Sequence, residues 1–292
     1  MKQSPMDVII VNYNSTPQLL RCLESFAGEI TQGRVRVIVQ DNSADDGIGL
    51  IETKFPEVTI RRNGRNLGFA EAINRALAES NAPYITLLNP DTIVLESFFD
   101  AVLSYMVEYR DVGIIGPKIL NADGSVQGSA RSFPSALTGF FGRSSILTRL
   151  FPKNRISRAN ILSDRSDGKS PVEVDWVSGA CMAVRRKAID QVGPIDRRFF
   201  LYWEDADWCM RMHQKGWNVI YFPVPRVVHY VGVSSSQRVF WSLVDFHKSA
   251  YKFFCKYSKG WMRALSPLVA VALASRLIFV LIMKKVRRIY KN

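Results

Sequence analysis

The sequence predicts an α/β protein: a Rossmann-like mixed sheet, mainly parallel in its first half, flanked by helices and followed by a helical tail. Three observations lead there. Strand-like apolar runs alternate with segments of helical period over the first 115 residues, the signature of βαβ units. The runs are apolar throughout rather than alternating, as strands covered on both faces require. The chain of 292 residues is 47% hydrophobic and 22% charged, too apolar for a disordered chain and too polar for a multi-span membrane protein.

The elements follow in order. Residues 7–13 (DVIIVNY) form a first strand, ended by Asn14, Ser15 and Thr16. Pro17 stands where a first helical residue belongs, and Leu19, Leu20, Leu23 and Phe26 follow at helical spacing. Residues 35–40 and 58–62 read as strands, 69–80 as a helix, 84–88 as a strand, the stretch up to Tyr109 as a helix and 112–115 as a strand. Two polar stretches, 121–142 and 152–171, read as long loops, a length often associated with function. Periodicity returns at 174–177, 180–184, 199–203 and 219–222, with a helix from about Asp205 to Lys215 closed by Gly216.

Charge divides the chain. Net charge is +13, but no acidic residue follows Asp245, and the last 47 residues carry 11 Lys or Arg. The preceding 245 residues hold 28 basic and 26 acidic groups, so the strong basicity belongs to the tail. We divide the chain at 240: residues 1–240 as one domain, 241–292 as a helical segment. Cys22, Cys181, Cys209 and Cys255 show no close pairing, which argues for reduced thiols in a cytosolic compartment rather than a disulfide framework or zinc site. The first residues lack signal-peptide architecture.

In an open parallel sheet, ligands bind beyond the carboxyl ends of the strands. Those ends carry Asn12 and Asn14, then Asp41, then Asn66 and Gly68, then Asn89 and Asp91. Each alone is a turn signal; together they deliver polar groups to one sheet edge. No Gly-x-Gly-x-x-Gly follows the first strand and no Walker loop occurs, which argues against a dinucleotide dehydrogenase or a P-loop NTPase. The phosphates of a nucleotide would then need another counter-charge, and a divalent cation on Asp91 supplies it; Asn89-Pro90-Asp91 read by itself is equally a turn. The segment from Asp41 to Glu52 has calcium-loop spacing, but Asp46 stands where glycine is required, so we reject that reading. Glu204, Asp205 and Asp207 crowd a helix start behind an aromatic run. Capping explains one or two acids, whereas a partly desolvated carboxylate beside aromatics suits a general base. Of three histidines, His213 reads as structural, His247 belongs to the tail, and His229, at a strand end, reads by itself as a satisfied polar residue, though a neutral imidazole there is able to complete a metal site with Asp91.

Val11-Asn12-Tyr13-Asn14, Asp41-Asn42-Ser43, Asn66-Leu67-Gly68-Phe69, Asn89-Pro90-Asp91, Trp203-Glu204-Asp205 and His229 with its Gly-Ser tail run in order over residues 6–236. This ordered set resembles family 2 glycosyltransferases, which have the GT-A fold. Asn89-Pro90-Asp91, the segment from Asp123-Gly124-Ser125 to Arg131-Ser132-Phe133-Pro134, and residues 199–207 are similar to bacterial rhamnosyltransferases of O-antigen and cell-surface polysaccharide synthesis. The resemblance implies that Asp41 contacts the base of a nucleotide sugar, that Asn12, Asn14, Asn66 and Gly68 line its ribose and diphosphate, and that Phe69 and Asn89 belong to the same site. It implies a metal, Mg²⁺ or Mn²⁺, on Asp91 with His229 as second ligand. Asn89 stands where the family has the first Asp of Asp-x-Asp. It implies Asp205 as the catalytic base with Glu204 as next candidate, and an in-line displacement inverting the anomeric carbon. The donor expected is dTDP-L-rhamnose and the acceptor a lipid-linked glycan. A UDP-hexose donor, or a membrane-bound sugar-nucleotide-binding protein without catalysis, are the alternatives.

For the tail, residues 265–283 just reach the length of a spanning helix, but Arg276 lies near the middle, where insertion costs roughly 2.5–3.5 kcal/mol. Nucleic-acid binding explains the charge but not the apolar stretch. A helix lying in the interface explains both, with cations on anionic headgroups at the cytoplasmic face of the inner membrane. A single span and a core helix packed on the domain are the other readings.

Overall fold

The computed structural model describes residues 4–133, 166–230 and 239–289. Much of the second polar stretch, and the Gly-Ser tail after His229, lie outside the described residues. Its first half is β1 (Met6–Asn12), α1 (Thr16–Glu24), α2 (Ala27–Thr31), β2 (Val35–Asp41), α3 (Gly49–Lys54), β3 (Thr59–Arg62), α4 (Phe69–Glu79) and β4 (Tyr84–Leu88). Then come β5 (Thr92–Val94), α5 (Phe98–Glu108), β6 (Val112–Leu120), β7 (Ala130–Arg131), β8 (Val172–Glu173), β9 (Trp176–Val177) and β10 (Cys181–Arg185). The chain continues through α6 (Arg186–Val192), α7 (Glu204–Gln214), β11 (Asn218–His229), α8 (Val239–Tyr257), α9 (Trp261–Ala264) and α10 (Ser266–Ile289).

The main sheet has the order β3-β2-β1-β4-β10-β6-β11-β5, with β8 on β11. β3, β2, β1 and β4 are parallel; β10 is antiparallel to both β4 and β6, and β6 is parallel to β11. Six strands therefore end at one edge, at Asn12, Asp41, Arg62, Leu88, Leu120 and His229, and β10 begins there. The expected mixed sheet is present. Its two faces are filled by separate apolar clusters: Val8, Ile10, Leu19, Leu23, Val37 and Phe98 on one side, Ile9, Ile38, Ile73, Leu87, Val184 and Trp208 on the other. The alternation along β1 and β2 sends neighbouring residues to opposite layers, which is why both strands are apolar throughout.

Three elements differ from the sequence reading. The stretch after Asn89 contains β5 before its helix, α6 follows β10 directly, and residues 199–203 form bends rather than a periodic element, with Tyr202 (φ 67°) and Trp203 (φ 71°) in the left-handed region. Two consecutive bulky residues in that region are strained.

The first tail helix is welded to the body. Asp207 of α7 is 0% exposed and is the hub: Arg211 Nε donates to Oδ2 at 2.9 Å, while Lys256 Nζ (2.5 Å) and Tyr257 Oη (2.7 Å) of α8 donate to Oδ1. Lys256 also reaches Asp196 Oδ2 at 2.7 Å. Burial works to raise the Asp196 carboxyl, but hydrogen bonds from Arg198 and Lys256 prevail and hold it well below the usual range. Phe253 packs with Phe199, and Trp203 lies 5.1 Å from the Phe253 ring. Replacing Asp207 by Ala strands two cations against a buried position. We expect a loss of about 3 kcal/mol, within the range for breaking a buried ion pair from one side, read as a lowered urea midpoint.

Candidate functional site

The site is the sheet edge where six strands end. At its floor, Asn12 and Asp41, 0% and 1% exposed, are neighbours in the β1–β2 register. Asn12 Nδ2 donates to Asp41 Oδ1 at 2.9 Å, and Asn12 Oδ1 accepts from Ser15 Oγ at 2.9 Å. Ser43 completes this corner: its N–H donates to Asp41 Oδ1 at 3.2 Å, and its Oγ accepts from the Asn14 N–H at 2.9 Å. Asn14 is exposed, with φ of 50°. Asp41 Oδ2 lies outside these bonds.

Beside it, Asn42 Nδ2 donates to Asn66 Oδ1 (3.3 Å) and to Gly68 O (3.2 Å), and Asn66 Oδ1 accepts the Gly68 N–H at 2.9 Å. Gly68 has φ of +82°, and a Cβ there would stand 2.5 Å from a Phe200 ring carbon and 2.8 Å from Phe200 O. Only glycine fits both the backbone and the approach. The Phe69 N–H donates to that same Phe200 carbonyl at 2.8 Å, so the start of α4 is pinned to the bend preceding α7.

The turn Asn89-Pro90-Asp91 is held at three points: the Asn89 N–H donates to Ala180 O (2.9 Å), Thr92 Oγ1 donates to Asn89 O (2.6 Å), and the Tyr230 N–H donates to Asp91 O (2.9 Å). Thr92 and His229 are register partners of β5 and β11. This brings His229 Nε2 to 3.1 Å from Asp91 Oδ1. The two are not aligned to hydrogen-bond, and Asp91 Oδ1 is buried with no hydrogen-bond partner. Asn89 Nδ2 lies 3.4 Å from the same His229 nitrogen, and His229 Nδ1 lies 3.0 Å from Gln127 Oε1.

A buried carboxylate oxygen facing a ring nitrogen, with no hydrogen bond between them, is a fit for a small hard cation. Adjacent corners of an octahedron with arms of about 2.1 Å lie about 3 Å apart, which matches the observed separation. No cluster of three or more His, Cys, Asp or Glu side chains among the described residues holds a metal unaided. Two protein ligands completed by phosphate oxygens and water are the usual arrangement for Mg²⁺.

The three acids of α7 separate. Asp207 belongs to the ion-pair hub. Asp205 Oδ2 accepts the Gly179 N–H at 3.0 Å and Oδ1 the Ala206 N–H at 2.8 Å. Burial raises its pKa above the ordinary aspartate value, against the opposing pull of these two N–H groups and of Arg131. Glu204 is buried, its Oε2 has no hydrogen-bond partner, and burial followed by repulsion from Asp205 raises it well above the glutamate range. Of the pair, Asp205 has the backbone donors that favour its charged form, and Glu204 has the stronger push toward its neutral form. The aromatic run before them turns Tyr202 and Trp203 onto Phe246 of α8 and Phe200 onto Gly68.

The structure thus brings together Asn12, Asn14 and Asp41; Asn66, Gly68 and Phe69; Asn89, Asp91 and His229; and Asp205 with Glu204. It adds Asn42, Ser43 and Gln127 as their hydrogen-bond partners. His213 donates to the carbonyls of Val174 and Asp175, a structural role as expected. All four cysteines are free, and burial pushes the Cys22 thiol up to about 12.

Residues 4–245 match the family described as glycosyltransferase like family 2. The N-acetylglucosaminyl-diphospho-decaprenol L-rhamnosyltransferase of Mycobacterium tuberculosis H37Rv is 33% identical over 273 residues, 89% of this chain and 87% of that protein. The rhamnosyltransferase WbbL of Escherichia coli K12 is 26% identical over 231 residues, 76% of this chain and 82% of its own. The mannosyltransferase PcManGT of Pyrobaculum calidifontis, solved with GDP-Man and Mn²⁺, has a TM-score of 0.57 at 14% identity, covering 100% of this chain and 84% of its own. GalNAc-T7 with UDP, GalNAc and Mn²⁺ gives a TM-score of 0.57 at 15% identity over 78% of this chain, which spans only 44% of that structure. These structural likenesses give the fold, GT-A. With its match to the family running from the first strand to the start of the tail, the chain belongs to glycosyltransferase family 2.

Proposed function

We propose that this glycosyltransferase is inverting and cation-dependent, and moves L-rhamnose from dTDP-L-rhamnose onto a lipid-linked glycan at the cytoplasmic face of the bacterial inner membrane, in cell-surface polysaccharide synthesis. The observation that carries the reading is the buried Asp91 oxygen facing His229 Nε2 at the strand-end edge. The relatives' names support rhamnose and a prenyl-diphosphate-linked acceptor.

Asp91 and His229 are the ligands in this reading. A cation held there, Mg²⁺ or Mn²⁺, would supply counter-charge to the departing nucleoside diphosphate. Asp41 offers Oδ2 to a ring N–H of the base. Asn12, Asn14, Asn66, Gly68, Phe69 and Asn89 shape the nucleotide pocket. Asp205, held by the Gly179 and Ala206 N–H groups, takes the proton of the acceptor hydroxyl as its oxygen bonds to the anomeric carbon and the carbon–phosphate-oxygen bond breaks. Glu204, beside Asp205, is the next candidate for base.

The tail suits a lipid-linked acceptor. Over residues 266–286 the mean hydropathy is 2.2 and none of the segment is buried, a helix long and apolar enough to cross a membrane. Arg276 does not point into that apolar surface: its Nη1 donates to His247 Nε2 on α8 at 2.9 Å, with its guanidinium over Phe246. Leu268, Val271, Ile278, Phe279 and Ile282 stay exposed, with Lys284 and Lys285 at one end. The helix in this reading lies in the interface, its cations on anionic headgroups.

Replacing Asp205 by Asn is expected to lower kcat by about 10³-fold while leaving donor binding in place. Because the base must be ionised and its pKa is raised, the acid limb of wild-type kcat lies above the ordinary aspartate value of 3.8. Arg131→Met removes a stabilising positive charge and moves that limb to higher pH. A thermal-shift screen tests the donor: dTDP-L-rhamnose with Mn²⁺ should raise Tm, by an amount equivalent to about 2.7 kcal/mol at a hundredfold excess over Kd. A shift with UDP-sugars alone, or one indifferent to the cation, refutes that part. Removing residues 259–292, which spares the α8 hub, should leave the fold intact by circular dichroism and abolish sedimentation with anionic vesicles; continued sedimentation places attachment elsewhere.

A further inference from the structure

His229 meets Asp91 through one ring nitrogen and Gln127 through the other, and a chain of hydrogen bonds decides which nitrogen carries the proton. The chain begins at Asp123, exposed in the tight loop after β6. Ser125 holds that carboxylate twice, its N–H at 2.9 Å and its hydroxyl at 2.5 Å from Oδ1, and these bonds lower the carboxyl's pKa. An ionised carboxylate only accepts, so the single hydroxyl proton of Ser125 points to it. Ser125 Oγ is left to accept, and Asn121 Nδ2 donates to it at 2.9 Å. That fixes the orientation of the Asn121 amide, whose Oδ1 accepts from Gln127 Nε2 at 2.9 Å. Gln127 in turn presents Oε1, an acceptor without a proton, to His229 Nδ1 at 3.0 Å. Nδ1 therefore carries the hydrogen, and in the neutral ring Nε2 is bare.

One further observation agrees with a bare Nε2: its neighbour at 3.4 Å is Asn89 Nδ2, a donor. Gln127 itself is buried, and its N–H is tied to Ile119 O at 2.8 Å, so its side chain leaves from a fixed point.

We propose that Gln127 is a positioning residue of the cation site, locking His229 in the Nδ1–H tautomer so that two lone pairs, from Asp91 and from His229, face one another, with the Asp123–Ser125–Asn121 loop setting the polarity of Gln127. The metal half of this inference rests on the reading of Asp91 and His229 as cation ligands. The tautomer half does not. A histidine's far-side partner commonly governs its orientation and basicity toward a metal, and losing it costs roughly 10–100-fold in affinity.

The test uses the full-length chain without metal, labelled with ¹⁵N-histidine. The sequence has only three histidines, so His229→Asn assigns the His229 resonances in a long-range ¹H–¹⁵N correlation. The wild type should show Nδ1 protonated and Nε2 bare. Mn²⁺ binding in the presence of dTDP is then measured by electron paramagnetic resonance. Gln127→Leu should lose the single tautomer and weaken Mn²⁺ by roughly 10–100-fold, and Gln127→Glu, which keeps the acceptor, should restore both. Ser125→Ala, in the exposed loop, releases the Asn121 and Gln127 amides and should mix the tautomers even if Gln127→Leu fails to fold. An Nε2–H signal in the wild type, or an unaltered tautomer and Mn²⁺ affinity in Gln127→Leu, overturns the proposal. A wild-type chain that binds no Mn²⁺ while His229 still follows Gln127 overturns the cation reading and upholds the tautomer assignment.

Discussion

The site depends on one confrontation: a buried carboxylate oxygen of Asp91 and a ring nitrogen of His229, 3.1 Å apart with no hydrogen bond between them. An unpaired buried acceptor costs about 1–3 kcal/mol, more when charged. The backbone imposes this cost. Thr92 and His229 are paired across β5 and β11, and the Tyr230 N–H closes on the Asp91 carbonyl, so the two side chains cannot separate without unzipping an edge of the sheet. A strained, under-satisfied pair held by strong surroundings is the form that preorganisation takes. In the proposed reading a cation held by Asp91 and His229 would remove that cost.

Three acids within four residues of α7 have separate fates because a helix sends them in different directions. Asp207 faces α8 and is satisfied three times over. Asp205 faces the turn before β10 and receives two backbone N–H groups. Glu204 is buried with an oxygen unpaired, and burial raises its pKa. The same turn of helix thereby anchors the tail and sets a carboxylate against the turn before β10. Through α8 the apolar α10 is tied to the body as well, by the Arg276–His247 bond. A charge that hydropathy places at the centre of a membrane helix is spent on a neighbouring helix instead.

Much of this was legible in the sequence, for a physical reason: strands covered on both faces must be apolar, so the polar residue ending each one stands out. Asn12, Asp41 and Asn89-Pro90-Asp91 were found that way. What escaped needed tertiary structure. Strand β11 reads as two pieces because Pro223 and Pro225 interrupt it, yet it runs unbroken from Asn218 to His229, the prolines sitting at a register shift between Phe222 and Arg226. β5 is only three residues long, too short for any period. Gln127 lies in a stretch that reads as polar loop, and nothing local separates it from its neighbours; it matters only because β11 delivers His229 beside it. The aromatic run before Glu204 was visible, but whether it faced a pocket or a helix depended on where α8 packs.

The distance between the two halves of the site is set by rigid structure. Ala180 O accepts the Asn89 N–H, and the adjacent Gly179 N–H donates to Asp205. The turn carrying Asp91 and the Asp205 carboxylate thus hang from neighbouring residues at the entry to β10, whose first residue, Cys181, is in register with Leu88 at the end of β4. In the proposed reading, an inverting displacement needs its leaving group and its base on opposite sides of one carbon, at a separation that tolerates little error. That separation would be inherited from the pairing of two central strands rather than from a loop. A sugar bound between them would be measured against the sheet itself, and the parts free to vary would be the chain segments that surround the donor and the acceptor.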